Sequence, residues 1–308
     1  MSGTEYGVGN TDYEPERPDS AALAEAASSW RSAYVHIPFC ARRCPYCDFA
    51  VVAADEPGGG EVGRYVDAVV SEVGMEPRPF PVDAVNFGGG TPTRISPSHL
   101  ERLLEEIDAR LGIASGAEIS IEANPEDWTD DCAGELRRVG FNRVSFGVQS
   151  LDPGVLRRLG RAHSPDQATR AILAANEAGF ETVSVDLIYG TPGESDMSWR
   201  RSVDRVLALE PSHLSAYALT VEGGTAFSRS IMAGAPAPDP DQQADRFEYM
   251  DDAAAEAGLI RYEVSNWARE GHHCRYNLST WTMGEFAAFG TGAHDHRFGA
   301  VSYTHLTL

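Results

Sequence analysis

The chain reads YVHIPFCARRCPYCDF over residues 34–49. Three cysteines, Cys40, Cys44 and Cys47, fall within eight residues, and the β-branched and aromatic residues before them predict a strand that leads into a cysteine loop. Three thiolates on one short loop can ligate three irons of a four-iron cubane. The fourth iron then has no protein ligand and is free to accept a small chelating molecule.

Zinc is the alternative interpretation of these cysteines. A structural zinc ion usually takes four protein ligands, and His36, four residues before Cys40, is the nearby candidate for the fourth. In a reducing cytosol a cysteine cluster of this kind indicates metal binding rather than a set of disulfides. The cysteine spacing alone therefore leaves an iron–sulfur cluster and a zinc site both open.

Strands and helices alternate outward from this stretch, and six βα units can be counted up to about residue 220. Such alternation predicts a parallel sheet with helices outside, and fewer than eight units predict an α/β fold that is a partial (β/α)6 barrel. We expect a flexible N-terminal arm over residues 1–31, the barrel over residues 32–220, and an appended region over residues 221–308. Candidate site residues should lie at the C-terminal ends of the strands.

Composition narrows the classes of partner. The net charge is -21, which would repel nucleic acid and anionic membrane surfaces. The sequence has neither a transmembrane run of about 18 apolar residues nor a secretory leader pattern. We therefore expect a cytoplasmic protein that does not bind nucleic acid and that meets membranes only through its partners.

Further motifs follow the cysteine stretch in a characteristic order. They are NFGGGTPT (residues 86–93), SIEANPED (120–127), FNRVSFGVQSLD (141–152), DLIYGTPGES (186–195) and YEVSNWAR (262–269). Together with the cysteine spacing they make the chain resemble the radical S-adenosylmethionine (SAM) superfamily. Within it, the motifs are most similar to the HemW-type heme chaperones, relatives of the oxygen-independent coproporphyrinogen III oxidases.

The resemblance implies a [4Fe-4S] cluster on the three cysteines, with SAM bound at the open iron and cleaved by one electron from the reduced cluster. The family's SAM contacts fall on Tyr34, Tyr46, Gly89, Gly90, Thr91, Glu122, Gln149, Arg161 and Asp186. Glycine lets a backbone approach a ligand closely, and a guanidinium such as that of Arg161 suits the methionyl carboxylate. Glu122, Gln149 and Asp186 suit the ribose hydroxyls and the ammonium group, without individual assignments.

Two functions from different classes follow from the resemblance. The oxidases carry an additional cysteine two residues after the third cluster cysteine, and Phe49 occupies that position here. This difference favours a heme chaperone that binds heme or a porphyrin and passes heme to respiratory proteins. The alternative is an oxygen-independent coproporphyrinogen III oxidase in porphyrin biosynthesis, and a zinc-stabilised barrel is a distant third.

The family's heme-linked motif HNxxYW is altered in this chain. The corresponding segment reads YNLSTW, so Tyr276 replaces the histidine and Thr280 replaces the tyrosine. Tyr276 remains a candidate heme ligand because phenolate ligands to heme iron exist. The neighbouring candidates are His272, His273 and Cys274.

The last part of the chain resembles the family in one more motif. FGTGAHDH, residues 289–296, is similar to the family's FGxGAHS segment and keeps its histidine at His294. The final VSYTHLTL has no clear helix or strand punctuation. We expect residues 221–308 to be the start of the family's C-terminal region and to be incomplete.

Overall fold

The computed structural model describes residues 20–53 and 59–303, with the side chains of residues 20–22 and 59 left out. Most of the predicted N-terminal arm lies outside the described residues. The strands are β1 (Ser32–Ile37), β2 (Phe39–Cys40), β3 (Val52–Ala53), β4 (Val82–Gly89), β5 (Ile113–Ala123), β6 (Arg143–Gln149), β7 (Thr182–Tyr189), β8 (His213–Ala218), β9 (Ile260–Arg261), β10 (Asn266–Ala268), β11 (Phe286–Phe289), β12 (His294–Arg297) and β13 (Ala300–Tyr303).

Helices connect most of these strands. They are α1 (Ser20–Ser28), α2 (Gly59–Gly74), α3 (Pro97–Arg110), α4 (Asp130–Val139), α5 (Pro153–Arg158), α6 (Pro165–Glu177), α7 (Asp196–Leu207), α8 (Ala226–Met232), α9 (Pro240–Glu256) and α10 (Arg275–Trp281). Local sequence explains their ends. A capping box of Ser164 and Gln167 starts α6, and Gly140, with φ of 118°, ends α4.

The strands form one sheet in the order β13-β12-β11-β1-β4-β5-β6-β7-β8-β10-β9. Its centre is a parallel run in chain order, β1-β4-β5-β6-β7-β8, and the connecting segments contain helices. The prediction of a partial (β/α)6 barrel is confirmed. Because parallel strands are covered on both faces, their sequences are nearly continuous apolar runs, as in the almost fully buried TVSVDLIY of β7.

The region after residue 220 returns to both edges of this parallel sheet. β11 pairs in parallel with β1, whereas β10 pairs antiparallel with β8. β12 and β13 extend the β11 edge as an antiparallel hairpin. The final segment therefore does begin as a strand, up to Tyr303, because pairing with β12 supplies hydrogen bonds that local punctuation does not reveal.

The apolar core lies between the sheet and its helices. The largest fully buried side chains include Trp199, Trp267, Phe87, Phe141 and Phe146, drawn from helices and strands distant in sequence. Within the described residues, no helix is both long enough and apolar enough to cross a membrane.

Candidate cofactor site

The predicted site residues converge on one cavity at the C-terminal ends of the parallel strands. The cavity has a volume of about 420 Å³. Its walls include Cys40, Cys44, Tyr46, Cys47, Gly89, Gly90, Thr91, Glu122, Gln149, Arg161 and Asp186. Of the residues expected from sequence to contact the cluster or SAM, only Tyr34 is missing from this wall.

The cysteine loop is held at both ends by backbone pairing. β2 and β3 pair in parallel, so Phe39 faces Val52 across the base of the loop. The amide of Cys47 donates to the carbonyl of Cys44 at 3.2 Å, which makes a tight turn between two of the cysteines. All three clustered thiols are free.

Two polar side chains reach the thiols from other loops, one after β4 and one after α5. The hydroxyl of Thr91 lies 3.8 Å from the sulfur of Cys40, and Nη1 of Arg161 lies 3.7 Å from the sulfur of Cys44. Burial raises the pKa of Cys40 and of Cys47, so metal has to displace protons when it binds there. A nearby guanidinium favours the thiolate form that a metal requires.

The three clustered cysteines line one cavity together. Three ligands of one zinc ion converge on a point, whereas three ligands of a cubane sit on three different irons. The shared cavity fits a multi-iron group.

The glycine run after β4 packs against the strand that enters the cysteine loop. Gly89 has φ of 105°, and a Cβ there would lie 2.4 Å from the ring of His36. A Cβ on Gly90 would lie 2.7 to 2.8 Å from the backbone of Pro38 and Phe39. Glycine is thus required because the backbone after β4 lies against His36, Pro38 and Phe39 of the same chain. This contact sets the position of the loop that carries Cys40.

Replacing Gly90 with Ala should therefore lower the free energy of unfolding by about 1 to 3 kcal/mol, because the new methyl group meets fixed backbone. Urea denaturation measures the effect. Gly63 in α2 is the matched control, since a Cβ there has no neighbour within 4 Å. Gly63→Ala should be neutral or stabilising by up to about 1 kcal/mol, and equal destabilisation by the two changes would contradict this interpretation.

Two carboxylates lie together on the floor of the cavity. Burial, and secondly the charge of Asp186, raise the pKa of Glu122 to about 7, although Glu122 accepts a hydrogen bond from the amide of Gly89 at 3.2 Å. Burial also raises the pKa of Asp186, which accepts a hydrogen bond from the hydroxyl of Ser145 at 2.8 Å. A cationic ligand would relieve the repulsion between these two groups.

Gln149 and Arg161 carry buried polar atoms that no described residue satisfies. Gln149 has φ of 64°, a conformation that is uncommon outside glycine, and its Oε1 has no partner. The guanidinium of Arg161 bonds to the side chain of Asn124 and, at 2.8 Å, to the carbonyl of Gly147, while its Nε has no partner. Unsatisfied groups and strained backbone of this kind are typical of ligand sites.

Tyr34 lies beside the cavity rather than in its wall. Its hydroxyl is 3.1 Å from Nδ1 of His36, whose Nε2 is 2.8 Å from the carbonyl oxygen of Ala50. A carbonyl only accepts, so Nε2 carries the proton and Tyr34 donates to Nδ1. The sequence predicts His36 as a structural support of the cysteine loop, and these contacts agree with that prediction. Sequence reasoning missed the role of Asn124, although it lies inside a family-like motif.

The candidate heme ligands of the altered motif do not line the cavity. Cys274 is buried with its sulfur 3.6 Å from Glu118, and His272 bonds through Nδ1 to Thr182 at 2.8 Å. Thr182 begins β7, so this group closes the N-terminal end of the barrel, opposite the cysteines. The ring of Tyr276 stacks on Tyr34 at 5.7 Å.

Phe49, which stands where the oxidases have an extra cysteine, lies at the rim of the cavity. Its side chain is 58% exposed. Tyr217, at the end of β8, is 42% exposed at the same rim. The opening therefore presents aromatic side chains to any second molecule that enters above the cysteines.

Comparison with known proteins agrees with this geometry. The family model of the radical SAM superfamily matches residues 34–206. Heme chaperone HemW of Mycobacterium tuberculosis is 42% identical over 267 residues, which cover 85% of this chain and 68% of that protein. HemW of Escherichia coli is 37% identical over 266 residues, covering 85% and 69%.

A solved structure shows the same relationship. Coproporphyrinogen III oxidase (HemN) from Escherichia coli, described as a radical SAM enzyme, superposes with a TM-score of 0.79 at 25% identity. The match covers 93% of this chain and 69% of that one. Methylornithine synthase (PylB) is more distant, with a TM-score of 0.52 and 14% identity, and shares the fold alone.

Proposed function

The chain belongs to the radical SAM superfamily and to its HemW family, and from that premise we propose that it is a heme chaperone that holds a [4Fe-4S] cluster and SAM. The observation that carries the proposal is the convergence of three free cysteines, a glycine turn and two buried carboxylates on one cavity. In this proposal Cys40, Cys44 and Cys47 ligate the cluster. When bound, the cluster and SAM together supply one-electron reductive cleavage of a carbon–sulfur bond.

The chain's own residues would hold SAM by charge and hydrogen bonding. Arg161 is suited to the carboxylate of SAM, and Gln149 offers an unsatisfied amide oxygen to a hydroxyl or ammonium donor. Glu122 and Asp186 favour a cationic ligand. We assign the remaining contacts to Tyr34, Tyr46, Gly89, Gly90 and Thr91, and of these Tyr34 would have to act from beside the cavity.

The affinity for SAM should depend on pH through Glu122. The pKa of Glu122 is raised from 4.5 to about 7. The protonated carboxyl therefore stabilises the ligand-free fold below about pH 4.5, and this stabilisation is lost as the pH rises through 7. A cationic ligand prefers the ionised carboxylate, so SAM should bind roughly tenfold more tightly at pH 8 than at pH 6, or about 1.4 kcal/mol.

Isothermal titration of the reconstituted protein with SAM measures this dependence. The Glu122→Gln variant, which cannot ionise, should bind more weakly at pH 8 and show a flat profile. If Glu122→Gln keeps the slope of the wild-type protein, another group is responsible and the assignment of Glu122 is wrong.

The chaperone and the oxidase differ in what they do to a porphyrinogen. Phe49 in place of the additional cysteine supports the chaperone. The reduced, reconstituted protein should therefore bind hemin and should leave coproporphyrinogen III unchanged when SAM is present. Conversion to protoporphyrinogen IX would contradict the proposal and establish the enzyme.

We also propose, from the chain's membership of the HemW family, that it delivers heme to other proteins. We assign cofactor binding to residues 32–220 and heme handling to the region that starts at residue 221. Respiratory proteins would be the acceptors of heme, and contact with membranes would come through them. Transfer of bound hemin to an isolated heme-free respiratory protein tests this part of the proposal separately.

A further inference from the structure

One face of the hairpin formed by β12 and β13 continues the inner surface of the barrel. Side chains that are directly paired across strands lie on the same face of a sheet. Ser32 of β1 pairs with Phe286, Phe286 with His296, and His296 with Val301. We call this surface the hairpin face, and it consists of Phe286, His294, His296, Val301 and Tyr303.

The hairpin face is open, whereas the side chains of β12 on the opposite face are packed. Val301 is 71% exposed and Tyr303 is 44% exposed. On the other side, Asp295 is 8% exposed and Arg297 makes hydrogen bonds of 2.8 and 2.9 Å to Glu76. Ion pairs therefore hold β12 on one side of the hairpin, and the hairpin face on the other side is available to a ligand.

His296 is fixed in one tautomer by a backbone carbonyl. Its Nδ1 lies 3.0 Å from the carbonyl oxygen of Gly284, so the neutral ring carries its proton on Nδ1 and donates it there. Nε2 then has a free lone pair, and none of the described residues bonds to it. An imidazole that donates one N–H to a carbonyl and presents the other nitrogen is the usual arrangement of a metal-ligating histidine.

Other described histidines lack this arrangement. His213 has both ring nitrogens engaged, one by Ser184 at 2.8 Å and the other by Tyr262 at 2.7 Å. His36 and His163 also use both nitrogens in hydrogen bonds. His294 lies on the hairpin face, but its ring contacts Tyr303 at 4.6 Å and no carbonyl fixes its tautomer.

A row of aromatic rings joins the hairpin face to the interior of the barrel. The ring of His296 is 6.0 Å from that of Phe286, and Phe286 is 6.4 Å from Tyr276, which stacks on Tyr34. The turn between β11 and β12 lies beside the cysteine loop, since a Cβ on Gly292 would lie 2.8 Å from Cβ of Ala50. His294 and Tyr303 lie toward that end of the hairpin face, whereas His296 is level with Ser32 at the N-terminal end of β1.

We infer that the hairpin face binds heme, with Nε2 of His296 as an axial ligand of the iron and Phe286, Val301 and Tyr303 against the macrocycle. A heme combines the two properties that this face matches, a metal that accepts imidazole and a planar apolar surface. The inference rests on the proposed function as a heme chaperone and adds a site to it. The site differs from Tyr276, His272, His273 and Cys274, the candidates that the sequence suggested.

Hemin titration of the full chain, followed by the Soret difference spectrum, tests the site. His296→Ala should weaken hemin binding at least tenfold and shift the Soret band, and added imidazole should restore the band. His99→Ala is the matched control, because His99 of α3 is also half-buried and its Nδ1 also makes a hydrogen bond, to the hydroxyl of Ser96 at the start of that helix. His99→Ala should bind hemin like the wild-type protein.

A second pair of variants tests the contacts of the hairpin face with the macrocycle while leaving His296 unchanged. Val301→Asp introduces a charge on the hairpin face, and Ala300→Asp introduces the same charge at the adjacent exposed position on the opposite face. Only Val301→Asp should weaken hemin binding. Circular dichroism confirms that each variant is folded.

The outcomes separate this inference from the proposed function. If the wild-type protein binds hemin and His296→Ala binds it with the same affinity and spectrum, the His296 site is wrong and the chaperone proposal stands. A loss of binding in His294→Ala or Tyr276→Phe, but not in His296→Ala, would also overturn the site. If the wild-type protein does not bind hemin, both proposals fail.

Discussion

Replacing Cys40, Cys44 or Cys47 singly with alanine is expected to abolish the iron–sulfur cluster. Each thiolate would ligate a different iron, and the described residues around the loop provide no substitute thiol: Cys274 lies buried against Glu118 at the other end of the barrel. Iron and sulfide analysis after anaerobic reconstitution should give about four of each per chain for the wild-type protein and close to none for each variant.

Cys132 provides the matched control for this experiment. It lies on α4, outside the cysteine loop and outside the wall of the cavity. Cys132→Ala should retain the full cluster. A variant of one of the three clustered cysteines that keeps four irons, or a wild-type protein that takes up zinc alone, would show that the cluster assignment is wrong.

Replacing Arg246 with methionine is expected to produce a large loss of stability. The guanidinium of Arg246 on α9 lies 3.2 Å from the carboxylate of Glu194 and donates to its backbone carbonyl at 2.6 Å, and both side chains are almost completely buried. Removing one partner of a buried pair leaves an uncompensated charge, so the free energy of unfolding should fall by about 3 to 5 kcal/mol. Chemical denaturation measures this loss.

The pH dependence of the stability loss in Arg246→Met shows whether the loss comes from a buried charge or from lost packing. Burial already raises the pKa of Glu194 to about 7 from 4.5, against the opposing effect of Arg246. A raised carboxyl pKa contributes stability that is present below about pH 4.5 and is lost as the pH rises through 7. The Arg246→Met variant should therefore lose more stability between pH 5 and pH 8 than the wild-type protein does.

Two comparisons make this prediction specific. Adding Glu194→Gln to Arg246→Met should recover part of the stability and remove the extra pH dependence. Arg201→Ala breaks an exposed pair with Asp152 and should cost no more than about 1 kcal/mol. A loss in Arg246→Met that is the same at pH 5 and pH 8 would indicate packing rather than charge.

The parallel core and most of the cavity wall could be predicted from local sequence. Each βα unit has its own apolar strand and its own helix ends, such as Ser164 at the start of α6. In a parallel sheet the strand ends fall on one side, so residues such as Glu122 and Gln149 are brought together by the fold class alone.

Contacts between distant segments could not be predicted in this way. The parallel pairing of β11 with β1 joins residues about 250 positions apart, and hydrophobic periodicity does not specify a partner strand. The surroundings of Tyr34 could not be predicted for the same reason. Its place in the motif predicts a contact with SAM, whereas in the structure it lies beside His36 and stacks on Tyr276. The same limit applies to Cys274, whose burial depends on contact with Glu118 of β5.

The electron paramagnetic resonance spectrum of the reduced cluster, recorded with and without SAM, tests the central claim most directly. Three cysteine ligands leave one iron open, so SAM should change the spectrum of the wild-type protein. A cluster whose spectrum is identical with and without SAM, at a concentration that saturates binding, would mean that the fourth iron is not open to SAM, and the proposed cofactor site would be wrong.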